Sequence, residues 1–159
     1  MTFRPLSAQH AAFAPLRELR LVFASTPMKV RAALAAILDR LGDLALSDED
    51  RGTVEIVLAE VLNNIVEHAY GESPEGRIEL TVRPSAKHIF CEVLDTGDPM
   101  PGGRAPEPVT PILPSDDAGL PEGGFGWSLI RLLCVDVSYA REGDRNRLML
   151  QLERSDVPR

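Results

Sequence analysis

The chain has 159 residues, with 17 Lys and Arg against 24 Asp and Glu, for a formal net charge of −7. Hydrophobic residues make up 44% and charged residues 26%, ordinary globular proportions that exclude collagenous, coiled-coil and low-complexity classes. The acidic balance supplies no basic field to hold a phosphate backbone, so nucleic acid is not expected as a partner.

The length suits a single domain over residues 1–159, with a core over about 16–153. The N-terminus lacks the apolar run of a signal peptide, and no stretch approaches the ~18 apolar residues of a membrane span, so the expectation is a soluble cytoplasmic protein without a membrane partner. Cys91 and Cys134 sit inside apolar runs without Cys-x-x-Cys spacing and read as reduced core thiols.

Leu19, Leu21 and Phe23 alternate with Arg20 and Val22, which predicts a first short strand. Ser25-Thr26-Pro27 is a helix cap followed by proline, and Val30, Leu34, Ile37, Leu38 and Leu41 recur at helical spacing until Gly42. Ser47-Asp48-Glu49-Asp50 starts a second helix, with a cap hydroxyl three residues before a carboxylate and negative charge in the first turn. That helix should run to about Tyr70 and stop at Gly71. Ile78, Leu80 and Val82, then His88 to Leu94, predict a hairpin.

The segment from Asp95 to Phe125 holds seven of the thirteen prolines and no periodicity, too long for a passive connection. A third helix follows from Gly126, and Val135 to Ala140 with Leu148, Leu150 and Leu152 form a last hairpin around Glu142-Gly143-Asp144. This order implies an α+β fold, one mostly antiparallel sheet covered on one face by three helices.

Three constellations have chemical potential. On the second helix Glu60, Asn63, Asn64, Glu67 and His68 fall on one arc opposite Val54, Leu58, Val61, Leu62 and Ile65. This is either a solvated face or a site, and two mid-helix asparagines, poor helix formers with no capping role there, favour the second. Glu60 and Asn64 at i, i+4 point at one spot: an amide oxygen suits Mg²⁺ held mainly by phosphates, and a carboxylate can take a proton from a hydroxyl. Asp95-Thr96-Gly97 ends a strand; it is an ordinary turn or a buried acceptor for an exocyclic amine. Gly123-Gly124-Phe125-Gly126 precedes a helix and is a hinge or an anion site built from backbone N–H groups and the helix dipole.

Taken together, Glu-x-x-x-Asn on a helix, Asp-x-Gly after a strand, a long loop and Gly-Gly-x-Gly before a helix resemble the GHKL ATPase superfamily. Within it, the run Glu60 to Tyr70 is similar to the bacterial anti-sigma-factor serine/threonine kinases. The resemblance implies a two-layer α/β sandwich of the Bergerat type and a kinase that uses ATP and Mg²⁺. Asn64 would ligate Mg²⁺, Glu60 would be the catalytic base, and Asp95 with Gly97 would receive adenine. Gly123, Gly124, Phe125 and Gly126 would hold the phosphates under a lid over residues 98–122. Arg131, and after it Arg104, is the basic side chain expected to assist.

The implied partners are a small anti-anti-sigma antagonist protein, phosphorylated on serine, and a sigma factor sequestered when the antagonist is absent; a homodimer is also implied. Two other readings stand beside it: a nucleotide-binding interaction module that transfers no phosphate, and an adaptor with a proline-rich partner loop. Asn146-Arg147 stands where the superfamily often carries Gly-Thr before the late strand. His68 is read as structural, at the edge of the pocket.

Overall fold

Alternation of apolar and polar residues along five segments builds the sheet, in the computed structural model that describes residues 18–107 and 125–155. Its strands are β1 (Leu19–Ala24), β2 (Arg77–Pro84), β3 (His88–Asp95), β4 (Asp136–Glu142) and β5 (Arg145–Glu153). They lie in the order β1-β2-β3-β5-β4, every neighbouring pair antiparallel. Leu80 faces Leu21 and Val93, while Leu148 faces Val93 and Tyr139.

One face buries Ile78, Leu80, Val82, Ile89, Cys91, Val93, Leu148, Leu150 and Leu152 in a single core with the helices. The other face carries Arg20, Glu79, Glu92 and Arg147, joined as Arg20–Glu79 and Arg147–Glu92 ion pairs. The layers are therefore those expected of the sequence pattern, three helices over one side of an antiparallel sheet.

Helix α1 (Pro27–Asp43) begins where the Thr26 side chain accepts from the Lys29 backbone N–H at 3.2 Å, with proline in the first turn. Helix α2 (Asp48–Asn64) begins where Ser47 Oγ accepts from Asp50 N–H at 3.1 Å. Each cap satisfies one donor that the first turn leaves without a partner. Val54, Val57, Leu58, Val61 and Leu62 turn the inner side of α2 into the core. Helix α3 (Phe125–Leu133) buries Trp127 and Ile130.

The second helix departs from the expected course after Asn64. Residues Ile65–Ala69 wind as a π-helix, closed by a bond from Tyr70 N–H to the Ile65 carbonyl at 3.1 Å. Bonds reaching five residues back widen the turn that carries Glu67 and His68. Both are exposed, His68 Nε2 lying 3.8 Å from Glu67 Oε2. The thiols are free, as expected: burial pushes Cys91 up to about 12 and Cys134 up to about 11.

Candidate functional site

Two glycines show what crowds against α2 and its π-turn. A side chain at Gly126, in the first turn of α3, would collide with Glu60 Oε2 and lie 3.8 Å from Asn64 Nδ2. A side chain at Gly97 would overlap the Ala69 carbonyl. Close approach of backbone to a functional side chain is a position that glycine alone fills without displacement. The start of α3 thus meets the Glu60–Asn64 turn, and the end of β3 meets the π-turn at Ala69, where Asp98 N–H donates to the Ala69 carbonyl at 2.7 Å. From Glu60 to Ala69 the segment measures roughly 13 Å at ~1.5 Å per residue.

At the α3 end, Glu60 and Asn64 are half-buried. Asn64 Nδ2 is buried with no hydrogen-bond partner among the described residues. A buried amide without a partner carries a desolvation penalty, and such an orphan marks a place built for something else. A half-turn of the amide presents its oxygen instead, the donor type a hard cation takes. The described residues hold no group of three or more His, Cys, Asp or Glu able to bind a metal; the Asn64 amide oxygen is a donor that would suit an ion carried largely by phosphate oxygens.

At the other end, Asp95 closes β3 with 6% exposure. Its Oδ1 accepts from Gly97 N–H at 2.9 Å and from Asn146 Nδ2 at 2.7 Å. Neither bond uses Oδ2. Burial raises the carboxyl above its ordinary value, opposed by the Asn146 and Gly97 bonds and by the Arg141 charge. The turn is pinned from outside as well, since Tyr70 Oη accepts from Thr96 N–H at 2.8 Å and donates to the Arg77 carbonyl.

Asn146, Tyr139 and Arg141 gather beside Asp95, a grouping that the sequence motifs do not give. Asn146 holds its place in phase with the buried Leu148, Leu150 and Leu152 on β5, and an asparagine in a buried phase is a signal that points to it. Arg131, expected near phosphates, donates instead to the carbonyls of Pro106 and Ala105, each at 3.2 Å. It ties the first stretch of the long loop to α3. Arg104 is exposed just beyond the short 3-10 turn Pro101–Gly103. Gly123 and Gly124 lie outside the described residues, as do the Phe125 side chain and most of the expected lid.

A sheet of this order under three helices, with the start of α3 against Glu60 and Asn64 and the end of β3 against the π-turn, is a two-layer α/β sandwich. The chain belongs to the histidine kinase-like ATPase domain family, whose model matches residues 23–152. It is 30% identical over 108 residues to the serine-protein kinase RsbW of Oceanobacillus iheyensis, a match covering 67% of this chain and 66% of that protein. The serine/threonine-protein kinase BtrW of Bordetella bronchiseptica is 33% identical over 100 residues, covering 63% and 68%. The sensor histidine kinase PdtaS of Mycobacterium tuberculosis is 34% identical over 126 residues, but only 24% of its length is matched. The crystal structure of the RsbU and RsbW domains of Rv1364c from Mycobacterium tuberculosis shares the fold, with a TM-score of 0.60 at 16% identity over 89% of this chain and 33% of that one. Among the described residues no helix is long and apolar enough to cross a membrane.

Proposed function

We propose that the chain is an ATP-dependent serine/threonine protein kinase of the anti-sigma-factor type. The observation that carries this reading is the meeting of Glu60, Asn64 and Gly126 at the start of α3, with Asp95 buried at the end of β3 and bonded through one carboxylate oxygen. The named kinases among its relatives support the same activity.

In this reading adenine enters at Asp95 and Gly97, its amino group donating to Asp95 Oδ2. The triphosphate runs along α2 toward the start of α3, where backbone N–H groups of the Gly123–Gly126 stretch and the positive helix end receive it. Magnesium, when bound, neutralises phosphate charge, and Asn64 is the residue that would ligate it. Glu60 accepts the proton of an incoming serine hydroxyl. That oxygen bonds to the γ-phosphorus as the bond to the β,γ-bridging oxygen breaks, leaving ADP. Positioning and charge neutralisation are what phosphoryl transfer requires, with little covalent work for the protein.

The lid over residues 98–122 folds over the nucleotide, anchored at its first stretch by Arg131. The acceptor is a serine of a small anti-anti-sigma-type antagonist protein, and the free kinase sequesters a sigma factor, acting as a homodimer in the cytoplasm. The direct test is transfer of labelled γ-phosphate from ATP to a purified antagonist of this type. Labelled serine is the expected product, absent without Mg²⁺. Tight ATP binding with no transfer would leave a non-catalytic regulatory module.

A further inference from the structure

Resting on the nucleotide reading above, we infer that Asn146 is a positioning residue that sets nucleobase specificity, holding Asp95 as an acceptor for the exocyclic amine of a 6-aminopurine and against a 6-oxopurine.

The argument begins with which way the Asn146 amide points. Arg141 can only donate, and its guanidinium lies 2.9 Å from Asn146 Oδ1 and 2.7 Å from the Gly97 carbonyl. The atom facing Arg141 is therefore the amide oxygen, and the nitrogen must face Asp95. Tyr139 Oη fixes the same oxygen by donating to it at 2.6 Å, and itself accepts from Met100 N–H at 2.9 Å. Asn146 is 4% exposed, so no water competes for this arrangement from bulk solvent.

With the oxygen committed, Nδ2 donates to Asp95 Oδ1 at 2.7 Å, and reaches the carbonyls of Asp98 at 3.0 Å and Gly97 at 3.2 Å. Two consequences follow. A donor against Oδ1 opposes the burial that raises this carboxyl, and the carboxylate, once ionised, only accepts. Oδ2 then rewards an amine and leaves a carbonyl oxygen facing another acceptor. The same amide also fastens the turn from Asp95 to Asp98, so the position of Oδ2 is fixed before any base arrives. A threonine at this position has neither the second donor nor the reach to join all three acceptors.

The test is titration calorimetry of the full chain with the Mg²⁺ complexes of ATP, inosine triphosphate and purine riboside triphosphate, the last lacking any 6-substituent. The wild type is expected to prefer ATP over purine riboside triphosphate by about tenfold to a hundredfold, the span of one hydrogen bond to a charged acceptor. Inosine triphosphate should bind more weakly than either. In Asn146→Ala the ATP preference should collapse to within about threefold through weaker ATP binding, with purine riboside triphosphate little changed. Tyr139→Phe, a gentler change that loosens the amide oxygen without emptying the site, should lower the preference part way and serves if Asn146→Ala does not fold.

A wild-type preference retained in both variants overturns the inference. So does an equal loss of affinity for all three nucleotides, which a purely structural role for Asn146 predicts. Wild type binding ATP and purine riboside triphosphate equally overturns it while leaving nucleotide binding intact. Wild type binding none of the three overturns the nucleotide reading, and this inference with it.

Discussion

Asn146 stands at the start of β5 and Asn64 at the end of α2, and their amides are treated in opposite ways. The Asn146 amide makes five contacts within hydrogen-bond distance, so that every polar atom it owns is used. Asn64 Nδ2 is buried and makes none among the described residues. The Asn146 amide is thus fully used at the β3 end, while the α2–α3 end carries an unmet polar group. Recognition of a rigid base profits from preorganisation, whereas a transferring phosphate and its cation bring their own donors, acceptors and charge.

The largest way to break this contrast is at the unfinished end. Glu60→Gln should leave Mg²⁺-ATP affinity within a few fold and lower phosphoryl transfer by at least about 100-fold, the usual share of a general base; single-turnover transfer from labelled ATP separates the two. Gly126→Ala forces a methyl group into the Glu60 carboxylate. A displacement of about 1 Å there should cut transfer by about 100-fold, with weaker nucleotide binding as well, read by the same assay beside calorimetry.

Asn64→Ala sharpens the comparison, because it removes a side chain whose amide nitrogen bonds nothing among the described residues. Stability of the free chain should change by less than about 1 kcal/mol, since no hydrogen bond is lost. The Mg²⁺-dependent part of ATP binding should disappear, leaving the affinity measured in EDTA. Urea unfolding and paired titrations with and without Mg²⁺ report these.

The smallest effect is the pH response of Asp95. Burial raises its carboxyl above the ordinary value, so its contribution to folding is present below the unfolded value and is lost as pH rises through the folded one. Binding runs the other way, because only the ionised form accepts an amine on Oδ2. Acidification through that window should therefore weaken ATP while relieving the free chain, and purine riboside triphosphate should show a flatter profile. Affinities measured in steps from neutral pH downward check the sign.

The fold was legible wherever local chemistry decides it. Thr26 and Ser47 announced their helices as hydroxyl caps, and the phases of Ile78, Leu80 and Val82 and of Leu148, Leu150 and Leu152 told the buried face of each strand. Glu60 and Asn64 were visible as an i, i+4 pair on α2. The π-turn after Asn64 was not, because no residue preference separates it from a continuing α-helix.

The role of Asn146 was hidden for a different reason. Its partners Asp95, Gly97 and Asp98 lie 48 to 51 residues away in the chain, and only strand pairing brings them together. In the sequence it registered as a missing Gly-Thr, whereas in the structure its amide donates to Asp95 Oδ1. Arg131 shows the converse, a residue placed correctly on its helix whose side chain goes to the Ala105 and Pro106 carbonyls, a direction that spacing does not encode.

The central claim, that Asp95 is the base-recognising acceptor of a nucleotide pocket, is tested most directly by thermal unfolding of wild type and Asp95→Asn with and without Mg²⁺-ATP. The asparagine keeps an oxygen for Asn146 and Gly97, removes a buried charge and places a donor where the amine must enter. Free Asp95→Asn should melt at or above the wild type, and ATP at 100 times its dissociation constant should stabilise the wild type by about 2.7 kcal/mol and leave the variant unmoved. An equal ATP-induced shift in both proteins would contradict the account.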